Sequence, residues 1–157
     1  IKSMNTFFVL ETLDTLRKAG RLTGIKFLIA DSLNIKPVMG ATEEGTICQL
    51  GQARGMKKAL HKMVEYLVET TKNCEERILG VAFCNCEERA QMVINELKKL
   101  TAFKKIVMVN TAGVSTMYAN EGGIILADRY TTANMVHQAG KITDKEEREK
   151  KAADIIL

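Results

Sequence analysis

Tryptophan is absent, proline occurs once, at Pro37, and histidine twice, at His61 and His137. Aromatic residues make up 5% of the 157, so aliphatics and eight methionines must fill the interior. Methionine is an adaptable filler, at home in ordinary cores and on surfaces that fit a flexible partner. Two histidines leave little material for acid–base chemistry. His61 falls on the side of a lysine-flanked helical segment, and no G-x-S-x-G elbow or cysteine beside an activating group is present. The cysteines are Cys48, Cys74, Cys84 and Cys86, and no second pair stands at zinc-site spacing with a histidine nearby. They read as free thiols of a reducing cytosol, with no metal and no cofactor. The pair Cys84-Asn-Cys86 falls at an expected strand end, which would point both thiols to one face.

No apolar run approaches the roughly 18 residues of a membrane span, and no signal peptide is visible, so the expected compartment is the cytoplasm. The net charge of +4 comes from 23 basic and 19 acidic residues without a basic arm or aromatic–basic alternation. That distribution argues against nucleic-acid binding.

What is present is a core: 46% of the residues are apolar, enough for one domain of this length. The run Thr6–Leu10 fits a buried strand. Leu13–Lys18 reads as a short helix stopped at Gly20. Thr23 opens a second helix to about Leu33, which Asn34 ends in a left-handed conformation. Pro37 holds Lys36 extended, so Ile35–Ala41 is a strand; Thr42–Gly45 turns it, and Thr46–Ala53 returns as its hairpin partner. Met56, Ala59, Leu60, Met63 and Leu67 mark an amphipathic helix, and Ala90, Val93, Ile94, Leu97 and Leu100 mark another. Strands are expected at Arg77–Cys84, Lys105–Asn110 and Ile124–Asp128, the last after a Gly113–Gly123 connection. The result is an α/β (α+β) domain: a mixed, partly antiparallel sheet of about six strands with helices packed on it. The domain is expected over residues 1–129. Residues 130–157 are a polar tail with a dense charge run, Asp144–Lys151, and a possible terminal helix. A strand starting almost at Ile1 suggests a piece of a longer protein.

Candidate binding residues stand out in three places. In the 23–33 helix, Ile25, Leu28, Ile29 and Leu33 share one face, and Phe27 lies opposite at about 100° of rotation per residue. A missing domain, a second subunit, an apolar ligand or a neighbouring loop must cover it. Arg54, Lys57 and Lys58 cluster where a helix begins, a position that disfavours cations by about 0.3–1 kcal/mol each and suits an anion such as phosphate. Tyr118-Ala-Asn-Glu-Gly-Gly123 puts two glycines before a strand, where backbone can approach a ligand closely, without dinucleotide or P-loop spacing.

The segment Thr12-Leu-Asp-Thr-Leu-Arg-Lys-Ala-Gly-Arg21-Leu resembles the "TLEYLRRGGRI" stretch of the DegV family of bacterial fatty-acid-binding proteins. Ser32-Leu-Asn-Ile-Lys-Pro-Val38 is similar to its "SLLNIKPI", and Ala53-Arg-Gly-Met-Lys-Lys-Ala59 to its "RGRKKA", in the same order and spacing. The resemblance covers about residues 5 to 128 and implies the second of two α/β domains, the N-terminal one lying outside this chain. It implies a lipid carrier, not an enzyme. A long-chain fatty acid would lie between the domains, against Ile25, Phe27, Leu28 and Ile35, and its carboxylate would be presented to a partner fatty-acid kinase. Arg21 would stand at the head-group mouth or the kinase-facing side. The family's "GxHxGPG" histidine falls here on Ala119, which leaves Tyr118 or Asn120 as substitute hydrogen-bond donors. Two other readings stay open: a regulatory or dimerisation module with Phe27 at its interface, and a small phosphate-binding enzyme domain using Arg54, Lys57 and Lys58.

Overall fold

A computed structural model describes residues 4–22 and 34–130. The expected helix over 23–33, with Ile25, Phe27 and Leu28, and the tail after residue 130 lie outside the described residues. The chain runs β1 (Asn5–Val9), α1 (Asp14–Lys18), β2 (Ile35–Ala41), β3 (Ile47–Arg54), α2 (Met56–Thr70), β4 (Arg77–Phe83), α3 (Glu87–Leu100), β5 (Lys105–Asn110), α4 (Val114–Ala119) and β6 (Ile124–Tyr130).

The strands form one six-stranded sheet in the order β3-β2-β1-β6-β4-β5. Every neighbouring pair is antiparallel except β4 and β5, which run parallel and are joined through α3. The expected β2–β3 hairpin is present, from Ile35 opposite Arg54 to Ala41 opposite Ile47, with an irregularity between Val38 and Met39. Asn34, at φ 49°, takes the left-handed conformation expected of it.

β1 sits in the middle of the sheet and is apolar on both faces because both are covered. Phe7 and Val9 point toward α2 and α3, where they join Val38, Leu79, Val81, Ile124 and Leu126 in the main core. The helices meet them with Leu60, Met63, Val64 and Leu67 on α2, and Val93, Ile94 and Leu97 on α3, all buried. Each such side chain contributes roughly 1.5–3 kcal/mol on burial, which makes this layer the principal source of stability. Phe8 points the other way, into a smaller cluster with Leu10, Leu13, Leu16, Leu22, Met39, Cys84 and Ala119. That second face is covered by α1 and α4.

Two expectations need correction. The Gly113–Gly123 connection contains a helix, α4, whose only buried residue is Ala119, so it carries no apolar period to read. The thiols of Cys84 and Cys86 do not share a face. β4 ends at Phe83, Asn85 turns the chain at φ 53°, and Cys84 falls in the α1/α4 cluster while Cys86 packs on the α2/α3 side.

Candidate ligand-binding site

The α1/α4 face bears an open apolar cavity of about 330 Å³. Its floor is the sheet, through Thr6, Phe8 and Leu10 of the β1 segment and Ile125 of β6; Leu16 of α1, Tyr118 and Ala119 of α4, Ile47 and Arg21 also line it among the described residues. The floor follows from register: Phe8 lies opposite Ile125 on one neighbour and Met39 on the other, so their side chains share this face.

Arg21 is the only charged residue of the lining among the described residues. Helix α1 places it. The Gly20 amide donates to the Arg17 carbonyl (3.0 Å) and the Arg21 amide to the Leu16 carbonyl (2.9 Å), with Gly20 at φ 69°. This is a Schellman cap, which needs a left-handed residue at the glycine, and it turns the chain so that Arg21 follows at the cavity rim. The Arg21 guanidinium makes no ion pair with another described residue.

The far end of the cavity is braced by a charged network. Glu11, next to Leu10, pairs with Lys36 (2.9 Å) and Arg89 (2.9 Å), and Lys36 also donates to the Glu11 carbonyl (2.8 Å). Partial burial pushes the Glu11 carboxyl up, but hydrogen bonds and charge from Lys36 and Arg89 outweigh it, and its pKa ends below the usual value. The Arg89 guanidinium also donates to the Gly122 carbonyl, fixing the loop that leads from α4 to β6. In that loop Gly123 packs so tightly that an added Cβ would collide with the Ala119 carbonyl and lie 2.9 Å from Leu10 Cδ2.

Of the residues singled out in the sequence, Arg21 and Tyr118 meet at this cavity. Asn120 does not line it; its amide is engaged with Thr15, Thr12 and the Tyr118 carbonyl. Ile35 and Arg54 face each other across the hairpin and line a separate shallow concavity. Lys57 and Lys58 stand in an open groove between α2 and α3, on the opposite face of the sheet. The three cations therefore do not converge. That groove is larger than the cavity, but its walls carry Lys62, Glu65, Glu87, Glu88, Glu96 and Lys99, the pattern of two solvated helix faces. His61 is an exposed helix residue, paired with Glu96 and, at 3.3 Å, with Glu65.

The sequence reading missed Phe8, Leu10, Leu16, Ile47 and Ile125. Strict alternation could have flagged Phe8, but the whole Thr6–Leu10 run is apolar and hides which side faces which layer. Among the described residues the lining holds no histidine or carboxylate, and its surface is apolar, Arg21, Tyr118 and Thr6 contributing the carbon parts of their side chains. Such a surface suits the apolar chain of an amphiphile, with the exposed Arg21 close by at the rim.

The model of the family described as "Uncharacterised protein, DegV family" matches residues 1–128. The chain belongs to the DegV family. A DegV domain-containing protein of Streptococcus pneumoniae is 33% identical over 119 residues, covering 76% of this chain and 42% of the relative. A DegV family protein of Ruminococcus gnavus, solved with vaccenic acid, is 57% identical with a TM-score of 0.76, over 79% of this chain and 44% of that one. The Fatty Acid Kinase (Fak) B3 protein of Streptococcus pneumoniae, solved loaded with linoleic acid, is 29% identical with a TM-score of 0.69, over 80% and 44%. The DegV chain described here thus spans less than half the length of these relatives. Among its described residues no helix is long and apolar enough to cross a membrane, and no group of three His, Cys, Asp or Glu side chains is placed to hold a metal ion.

Proposed function

We propose that this chain is the second domain of a cytoplasmic two-domain fatty-acid carrier, and that the α1/α4 cavity is its share of the acyl site. The observation that carries the reading is the cavity itself, whose surface is apolar and whose only charged lining residue, among the described residues, is Arg21. Burial of an acyl chain at about 0.8 kcal/mol per CH₂ supplies affinity, and Arg21 stands at the rim, at the mouth or on the kinase-facing side. Relatives solved with vaccenic and linoleic acid support the ligand class. The carrier binds and presents rather than catalyses, and a fatty-acid kinase acting on the exposed carboxylate is its partner. An N-terminal domain outside this chain forms the opposite wall. Lipid extraction and mass spectrometry of the freshly purified full-length protein test this. A long-chain fatty acid is expected in stoichiometric amount, and recovery of none refutes the carrier reading.

A further inference from the structure

Asn120 joins α4 to β6 at φ 57° and ψ 164°, a conformation that residues other than glycine rarely adopt. Glycine would sit there without strain, so the side chain must supply something glycine lacks. Its Oδ1 accepts a hydrogen bond from the Thr15 hydroxyl (3.1 Å), and its Nδ2 donates to the carbonyls of Thr12 (3.4 Å) and Tyr118 (3.2 Å). Thr15 lies in α1 beside Leu16, and Tyr118 and Ala119 end α4. One amide therefore ties together the two helices that flank the cavity.

Beyond Ala119, helix α4 packs on the cluster beneath it only through the half-buried Tyr118. Val114 is 68% exposed and Met117 54%, and Ala119 alone is buried. At its start, the Thr116 hydroxyl donates to the Thr111 hydroxyl (3.0 Å). For a six-residue helix with one fully buried side chain, polar ties are a substantial part of what holds it.

We propose that Asn120 is a positioning residue, a latch that holds α4 against α1 and so sets how slowly a bound acyl chain leaves. The proposal rests on the reading of the cavity as an acyl site. Breaking the latch removes the compensation for the strained backbone and frees one wall, which eases the way out of the cavity without altering the apolar surface that binds the chain.

The test uses full-length protein loaded with oleic acid, with release to an excess of albumin followed in time. Thr15→Val and Asn120→Ala are expected to release about tenfold faster, the effect of losing one or two such hydrogen bonds. The double variant should match Asn120→Ala, because both changes remove the same bond. Asn120→Gly relieves the backbone while removing the latch, so it should release fast with a melting temperature no lower than wild type. That combination separates a latch from general loosening of the fold. Wild-type release from fully loaded Thr15→Val and Asn120→Gly proteins overturns the latch alone. Failure of the wild type to take up oleic acid is a different result, and overturns the acyl reading and the release role with it.

Discussion

Arg77 and Asp128 meet at 2.6 Å across the seam between β4 and β6, with Asp128 wholly buried. The carboxylate also accepts from the Asn5 amide at 2.6 Å, and Arg77 Nε donates to the Lys72 carbonyl at 3.0 Å. Three strands, β1, β6 and β4, are thus pinned at one end by a single carboxylate. Removing one partner strands the other charge away from water. Arg77→Met is expected to destabilise the domain by roughly 3–5 kcal/mol in urea denaturation, and Arg77→Met combined with Asp128→Leu to recover much of the loss. A double variant as unstable as the single would show that the hydrogen bonds to Asn5 and Lys72, not the pairing of charges, hold the seam.

Gly123 fixes how closely α4 approaches the sheet. Its missing side chain is the space that the Ala119 carbonyl and Leu10 occupy, and both residues line the cavity. Gly123→Ala should cost about 1–3 kcal/mol as an overpacking change and weaken fatty-acid binding by the full-length protein. Thermal melting and a fluorescent fatty-acid displacement assay measure the two effects. Unchanged binding in a destabilised variant would place the ligand away from this wall.

Local punctuation made most elements legible in the sequence. Asn34 and Pro37 bracket the start of β2, whose bounds agree with expectation, and the 3–4 spacing of Met56 to Leu67 marks α2. Gly20 announced the cap that sets Arg21 at the rim. Strand order was not legible, because β1 pairs with β6 through Asn5 and Asp128, 123 positions apart, and no local signal encodes that. The cavity depends on this pairing. Its floor comes from Phe8 and Ile125, which become neighbours only in the assembled sheet, and both lie in runs apolar on each face. Helix α4 escaped because one buried residue in six makes no period. The cysteine pair misled because Asn85 reverses the backbone where strand alternation was assumed.

His61 makes stability depend on pH. The Glu96 carboxylate, by hydrogen bond and charge, and then Glu65 raise its pKa above the usual 6.5. A pKa higher in the folded than in the unfolded state means that folding binds a proton. The stabilisation is complete below about pH 6.5 and fades as pH rises through the higher folded-state value. Melting temperatures across pH 5.5 to about 8.5 should fall more for the wild type than for His61→Gln, and the site is exposed, so added salt should shrink the difference. Parallel curves at low salt would show that the His61–Glu96 contact does not persist in solution.

Arg21 separates the two tasks of the proposed carrier. It is exposed at the rim, so its attraction for a carboxylate is screened and worth about 0–1 kcal/mol, whereas the apolar wall gains about 0.8 kcal/mol for every methylene it covers. Arg21→Ala in the full-length protein should therefore weaken fatty-acid binding by about fivefold at most. Kinase-dependent phosphorylation of the bound fatty acid should fall far more, since an exposed guanidinium that makes no ion pair with a described residue is placed to meet a partner protein or the transferred phosphate. Titration with a fluorescent fatty acid and phosphorylation with the cognate kinase give the two numbers. Arg21→Lys should bind as the wild type does and recover only part of the phosphorylation, because lysine keeps the charge and loses the fork. Equal loss of binding and phosphorylation in Arg21→Ala would move Arg21 from the docking rim into the head-group site.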